Sequence, residues 1–303
     1  MKSLVTSIAA ALALACASPL ALAQFTVTTT QNGNANQAYT EQSGGESDAT
    51  ASTTQTGNNN IAGNALTHSG GIVQINGSGV YGTIVQTGDR NESSIYQNGV
   101  TRGGAALTQI GNDNQAAVRQ ITSSEVDIRL LQQGNGNMAN MEQHGVSPFL
   151  IDARQIGNNN KVTVQESVSG FAGPQLDQTG DGNSITVNQF DAYYSGVGVH
   201  QTGYMNTATV TQNNTYFTTE QTIRQNGTGN TATAFESGNG NSSLIVQDGI
   251  GNTASAQQTG NGNVSLITET GNNNLASVSQ TGDAFTSTIT QTGNNNSAGI
   301  NQH

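Results

Sequence analysis

Apolar residues return along this chain on a beat of 22 to 24 residues. One file runs Leu107, Leu130, Leu176, Val199, Ile223, Ile245, Ile267 and Ile289. A second runs Val118, Met141, Val164, Val187, Val210, Val278 and Ile300, each preceded two residues earlier by Ala, Val162 or Ile185. The residues between these are mainly Thr, Ser, Asn and Gln. Strict alternation marks a strand with one buried and one wetted face. The chain therefore predicts a series of short strands, two per repeat.

Polar residues keep the same beat. Two places after the first apolar file stands the opening Gln of a phrase, Gln-x-Gly-x-x-Asn. These openings are Gln31, Gln55, Gln86, Gln109, Gln132, Gln155, Gln178, Gln201, Gln225, Gln247, Glu269 and Gln291. The glycines two residues on are Gly33, Gly57, Gly88, Gly111, Gly134, Gly157, Gly180, Gly203, Gly227, Gly249, Gly271 and Gly293. The asparagines five residues on are Asn36, Asn60, Asn91, Asn114, Asn137, Asn160, Asn183, Asn206, Asn230, Asn252, Asn274 and Asn296. A second glutamine follows eleven residues after the opening at Gln42, Gln97, Gln120, Gln143, Gln189, Gln212, Gln258, Gln280 and Gln302.

Parity fixes the path. Side chains two apart on a strand share a face. The opening Gln shares a face with the first apolar file. The Asn and second Gln share one with the second file. Gln and Asn are an odd number apart, so the chain turns between them at the permissive Gly. Each unit is then strand–arc–strand–arc, one coil of an all-β, cross-β β-solenoid of about twelve coils of 22–24 residues. A lone coil cannot bury its inner face, whereas stacked coils can. Burying an unpaired amide costs about 1–3 kcal/mol. Stacking like amides about 4.8 Å apart resolves this, because each donates to one neighbour and accepts from the other. Twelve coils would make a rod roughly 58 Å long.

Composition narrows the class. Apolar residues are 33% and charged residues 9%, with 38 Gly, 3 Pro and no Trp. Disorder usually carries more charge and proline. The first 23 residues read as a signal peptide: Lys2, an apolar stretch from Leu4 to Ala15, and Ala21-Leu22-Ala23 before the cleavage point. The mature chain would begin at Gln24, and the single cysteine, Cys16, leaves with the signal. Without Lys2 the charge is 7 − 19 = −12, which disfavours nucleic acid. No other apolar run suggests membrane insertion. Residues 24–82 read as degenerate repeats, since Ser43–Thr54 and Thr67–Val80 are Gly-rich and Leu66 stands where a second Gln is due. Residues 83–303 read as the regular solenoid.

The phrases resemble curlin repeats, whose pattern is roughly Ser-x5-Gln-x-Gly-x-x-Asn-x-Ala-x3-Gln. The stretch SLITETGNNNLASVSQ, Ser265–Gln280, follows it. The resemblance implies a secreted subunit of extracellular functional-amyloid fibres, curli, in the biofilm matrix of a Gram-negative bacterium. It implies three partners: other copies of the chain, a nucleator subunit and an outer-membrane secretion machinery. Curli subunits typically have about five repeats and a Gly-rich segment before them. Here there are twelve units, with about seven residues between Gln24 and Gln31. The nucleator role, a non-polymerising solenoid adhesin or carbohydrate-binding rod, and an ice-binding solenoid are the alternatives. Thr at the position after the opening Gln recurs (Thr56, Thr87, Thr179, Thr202, Thr270, Thr292) but in a single broken file, where a flat ice face needs paired ranks.

Other chemistry is not indicated. His68, His144, His200 and His303 fall in different repeats, without metal-ligand spacing. Asp48, Asp89, Asp113 and Asp181 read as turn formers. No nucleophile–base pair, phosphate loop or cofactor motif is present, so no enzyme, metal or cofactor is expected. The last phrase ends at Gln302 without a polar cap, which predicts end-to-end assembly. Glu166, Glu236 and Glu269 occupy Gln places on the inner face, which predicts faster assembly in mild acid.

Overall fold

A computed structural model describes residues 25–45, 48–63, 71–145, 149–171 and 173–303. The signal peptide, Leu66 and His68 lie outside them. Every strand pairing among the described residues is parallel. One sheet begins with Phe25–Asn32 on Ala49–Thr56 and continues through Ser78–Thr87 to Thr286–Thr292. Its register carries Gln31 onto Gln55, Gln86 and Gln109. The other begins with Thr40–Ser43 on Ile72–Ile75 and ends with Leu275–Thr281 on Ser297–Gln302. Eleven steps in each sheet join twelve rungs. The chain is a β-solenoid, and no helix occurs among the described residues.

The two sheets face each other across one thin core. The aliphatic files meet there: Leu107, Ile223, Ile245 and Ile267 from one sheet, Met141, Val164, Val187 and Val210 from the other, all at 0% exposure. Alternation buried–exposed holds along nearly every strand, as in Val126–Gln133 and Thr253–Thr259. That pattern is what a two-sheet stack with wet outer faces requires.

The described strands beside the Gly-rich stretches near the N-terminus are stacked. Phe25–Asn32, Ala49–Thr56 and Ser78–Thr87 are already in register. The second strand of the second coil is described in two pieces, Ile61–Ala62 and Ile72–Ile75. Both pieces pair with Glu92–Asn98. Gln74 thereby takes the ladder place, eight residues beyond Leu66.

The two arcs of a coil differ. The first is the four residues between the opening Gln and its Asn throughout. Its Gly lies at φ 111–131°, a region that side chains avoid. A Cβ on any of these residues from Gly33 to Gly271 would sit 1.9–2.1 Å from the carbonyl oxygen of the equivalent Gly one coil on. The second arc matches the first only from Glu236 onward. In most earlier coils it is one residue longer and has its own contents. Val100 and Val126 pack there with Ala49 and Val80. Phe171 stacks on Tyr194 with ring centroids 4.7 Å apart, and Tyr193 on Tyr216 at 5.4 Å. Four ion pairs lie on outer faces, each joining residues 23 apart: Arg90–Asp113, Arg102–Glu125, Arg119–Glu142 and Arg154–Asp177.

Candidate functional site: the amide ladders

The opening glutamines form a continuous file. Each Gln side-chain Nε2 donates to the Oε1 of the next coil's Gln at 2.7–2.9 Å, from Gln31 to Gln247, where the acceptor is Glu269 Oε2. The second N–H crosses the core to a backbone carbonyl of the preceding coil, as from Gln109 to Glu92 O at 3.0 Å and from Gln201 to Ser184 O at 3.0 Å. One side chain thus ties three coils. Gln55 to Gln291 and Glu269 are all at most 5% exposed, whereas Gln31, on the first rung, is exposed.

The asparagine file runs with the opposite sense. Asn114 accepts at its Oδ1 from both the backbone N and the Nδ2 of Asn137, each at 3.0 Å. Its own Nδ2 donates forward to Gly134 O at 2.8 Å. The same forward bond, at 2.7–3.1 Å, is made from Asn36 to Gly57 and on to Asn274 and Gly293. Gly and Asn are therefore one device. The carbonyl that forbids a Cβ on the preceding coil's Gly is the carbonyl that caps that coil's Asn. Asn296, on the last rung, donates to Asn274 Oδ1 at 3.0 Å and is exposed.

The second glutamines make a third file. Gln42 donates to Gln74, Gln74 to Gln97, Gln97 to Gln120 and Gln120 to Gln143 at 2.6–3.0 Å. Gln143 donates to Glu166 Oε2 at 2.9 Å. The file resumes from Gln189 to Gln212, then from Gln258 to Gln280 and Gln302. Glu166 and Glu236 complete it by register. Sequence reasoning missed Gln74, because eight inserted residues displace it. It also missed a fourth, short file, in which Asn241 donates to Gly260 O and Asn263 to Gly282 O. The signal was present: from Gln225 onward Gln or Glu recurs every eleven residues, and Gly238, Gly260 and Gly282 follow at the same offset.

The remaining candidates serve the stack or solvent. Asp89 and Asp181 accept from the backbone N and Nδ2 of Asn58 and Asn158, one coil earlier, at 2.7–3.1 Å. Asp113 pairs with Arg90, whose guanidinium holds the carboxyl below its usual range. Asp48 takes a turn conformation at φ 51°. His144, His200, His303 and the Thr file are exposed. Among the described residues no group of His, Cys, Asp and Glu is placed to hold a metal, and no helix is long and apolar enough to cross a membrane.

The family model of the curlin associated repeat matches residues 251–282 and 271–303. No curated protein matches the chain. The matched stretch lies where both arcs of each coil are short. A curlin repeat suggests a curli-type subunit, and both this family and the β-solenoid are structural rather than enzymatic.

Proposed function

Residues 251–303 are curlin repeats, and from this premise we propose that the protein is a secreted subunit that polymerises into extracellular curli-like amyloid fibres. One observation carries the reading. Rung after rung offers the next the same polar ladder, and every Gln-to-Gln bond along the files is donated toward the C-terminal end. Whatever lets one rung accept another inside the chain lets a second copy continue the stack in the same sense. Its partners on this reading are further copies, a nucleator subunit and an outer-membrane secretion machinery, and its place is the cell surface and biofilm matrix.

The test is to incubate purified mature chain at micromolar concentration and follow it by electron microscopy and fibre diffraction. Unbranched fibres with a meridional spacing of about 4.8 Å are expected. A chain that stays monomeric overturns the reading. Gln132→Ala, which breaks the first Gln file, should slow seeded growth far more than Thr179→Ala on the outer face.

A carbohydrate-binding rod is the second reading, favoured by one feature of the outer face. Gly173, Gly196 and Gly198 leave a trough on three neighbouring coils, bordered by His200, Glu220 and Arg224. The exposed Phe171–Tyr194 stack lies two residues before its glycines. A Cβ at Gly198 would meet only Thr222 Oγ1, at 3.6 Å, so packing does not demand glycine there. Retardation of the monomeric chain in gels containing a soluble glucan, lost in Gly198→Leu, supports this reading; unretarded migration removes it.

A further inference from the structure

The Gln files are interrupted at three places, and each interruption has the same consequence. Glu166, Glu236 and Glu269 stand in register before Gln189, Gln258 and Gln291. A glutamine at each place would donate onward to the next amide oxygen. The glutamates have no N–H to give. Gln189 Oε1, Gln258 Oε1 and Gln291 Oε1 are all buried without a hydrogen-bond partner, and so are the Oε1 of each glutamate and the Oε2 of Glu236. Three buried acceptors therefore face three buried acceptors along the file. Where one Gln follows another in these files, an amide N–H fills that gap, as from Gln132 to Gln155 and from Gln189 to Gln212.

We propose that Glu166, Glu236 and Glu269 are proton-binding sites that complete the Gln files as neutral carboxylic acids, each O–H donating to the following Gln oxygen, so that mild acid tightens the coil stack and higher pH loosens it. A protonated carboxyl has the donor and acceptor complement the file needs, whereas a carboxylate offers acceptors only. An unpaired carboxylate inside a core is also expensive to desolvate.

The surroundings agree. Glu166 and Glu236 are 2% and 0% exposed. Burial pushes the Glu166 carboxyl up to about 8 against the opposing amide of Gln143. Burial also raises Glu236 well above its ordinary value; the amides of Gln221 and Gln212 nearby oppose this, but neither reaches hydrogen-bonding geometry with the carboxyl oxygens. Glu269, one coil from the end of the stack, is raised less, to about 6, with Gln247 opposing. Among the described residues no ion pair involves any of the three. The titratable groups on the elements packed around them stand at outward strand positions: Glu142, His144, Asp152, Arg154, Lys161, Asp191 and Asp177 (its Oδ1 covered) around Glu166, Tyr216, Glu220 and Arg224 around Glu236, and Asp248 around Glu269. Inward-facing neighbours are amides, hydroxyls and aliphatics.

The sign follows from linkage. A carboxyl whose folded pKa is raised contributes fully below its unfolded value, near 4.5. The contribution is lost as pH climbs through about 6 for Glu269 and about 8 for Glu166. Within such a window each site changes the unfolding constant about tenfold per pH unit.

This inference concerns the coil stack, so it is tested on folded chain by guanidinium unfolding, whether or not the chain makes fibres. Between pH 5 and 7 the wild type should lose stability at tenfold or more per pH unit. The triple variant Glu166→Gln, Glu236→Gln, Glu269→Gln restores the missing donors and should be nearly flat over that range. A control, Asp152→Asn with Glu220→Gln and Asp248→Asn, removes the same charge from the outer face and should keep the wild-type slope. An infrared band of protonated carboxylic acid should persist at pH 7 in the wild type and be missing in the ladder triple. The proposal is overturned if the ladder triple keeps the wild-type slope, if the outer-face control loses it, or if no protonated band is seen.

Discussion

Residues 86–225 and residues 225–303 build the same coil with different second arcs. In the later stretch both halves of a coil use one solution, with Gly260 above Gly282 as Gly134 is above Gly157, and a Cβ would meet the next carbonyl at 1.9 Å in either arc. In the earlier stretch the first arc keeps that solution and the second abandons it. Thr122, Val168, Phe171 and Tyr194 occupy left-handed conformations there, at φ 48–56°. The difference teaches what the repeat protects. Where backbones of adjacent coils touch and an Asn caps the touching carbonyl, only Gly and Asn fit. Where one more residue widens the arc, contact is relaxed and side chains of many kinds fill the space.

The sharpest way to break this comparison is at the glycines. Gly134→Ala should cost about 3–5 kcal/mol, from a disfavoured φ and a backbone collision together. Gly260→Ala, in the second arc of the later stretch, should cost as much. Gly145→Ala, in the wider arc, has nothing within 4 Å of the added carbon and should cost about 1–2 kcal/mol, for the left-handed conformation alone. Guanidinium midpoints of the three variants decide it, and equal costs at 145 and 260 would erase the distinction. Next in size is Gln132→Ala, which leaves Gln109 Nε2 and Gln155 Oε1 without each other's bridge, at about 2–3 kcal/mol. Smaller, and of opposite sign, is Val168→Asn. A branched side chain at φ 51° is replaced by one that tolerates it, and thermal unfolding should show a gain of about 1 kcal/mol. Smallest is Arg119→Ala, which removes an exposed ion pair with Glu142 and should change the midpoint by less than about 1 kcal/mol.

Much of the coil was legible in the sequence, because parity and period are properties of the chain itself. The odd interval between Gln109 and Asn114 demands a turn, and the even interval between Leu107 and Gln109 puts both in the core. Neighbours in a stack, however, are chosen by space and not by counting. Gln74 joins Gln42 and Gln97 across an insertion that hides it from a fixed offset. Gly238-Asn239-Gly240-Asn241 follows a Glu, so the eleven-residue half-repeat is disguised at its first occurrence. Which oxygen each glutamate leaves unserved depends on the direction of donation along the file. A one-dimensional pattern carries no arrow, and only the hydrogen bonds supply it.

A stack of near-copies has a hazard of its own: a coil can settle on the wrong copy and still bury its aliphatics. The four ion pairs between Arg90 and Asp177 act as addresses against that error. Each unites opposite charges one coil apart in a different outer column, so a slip at any of the three junctions they span separates the pair or pairs across it. Among the described residues from 225 onward there is no such pair. There no ion pair distinguishes one coil from the next, and the register is carried by the amide files and the two short arcs.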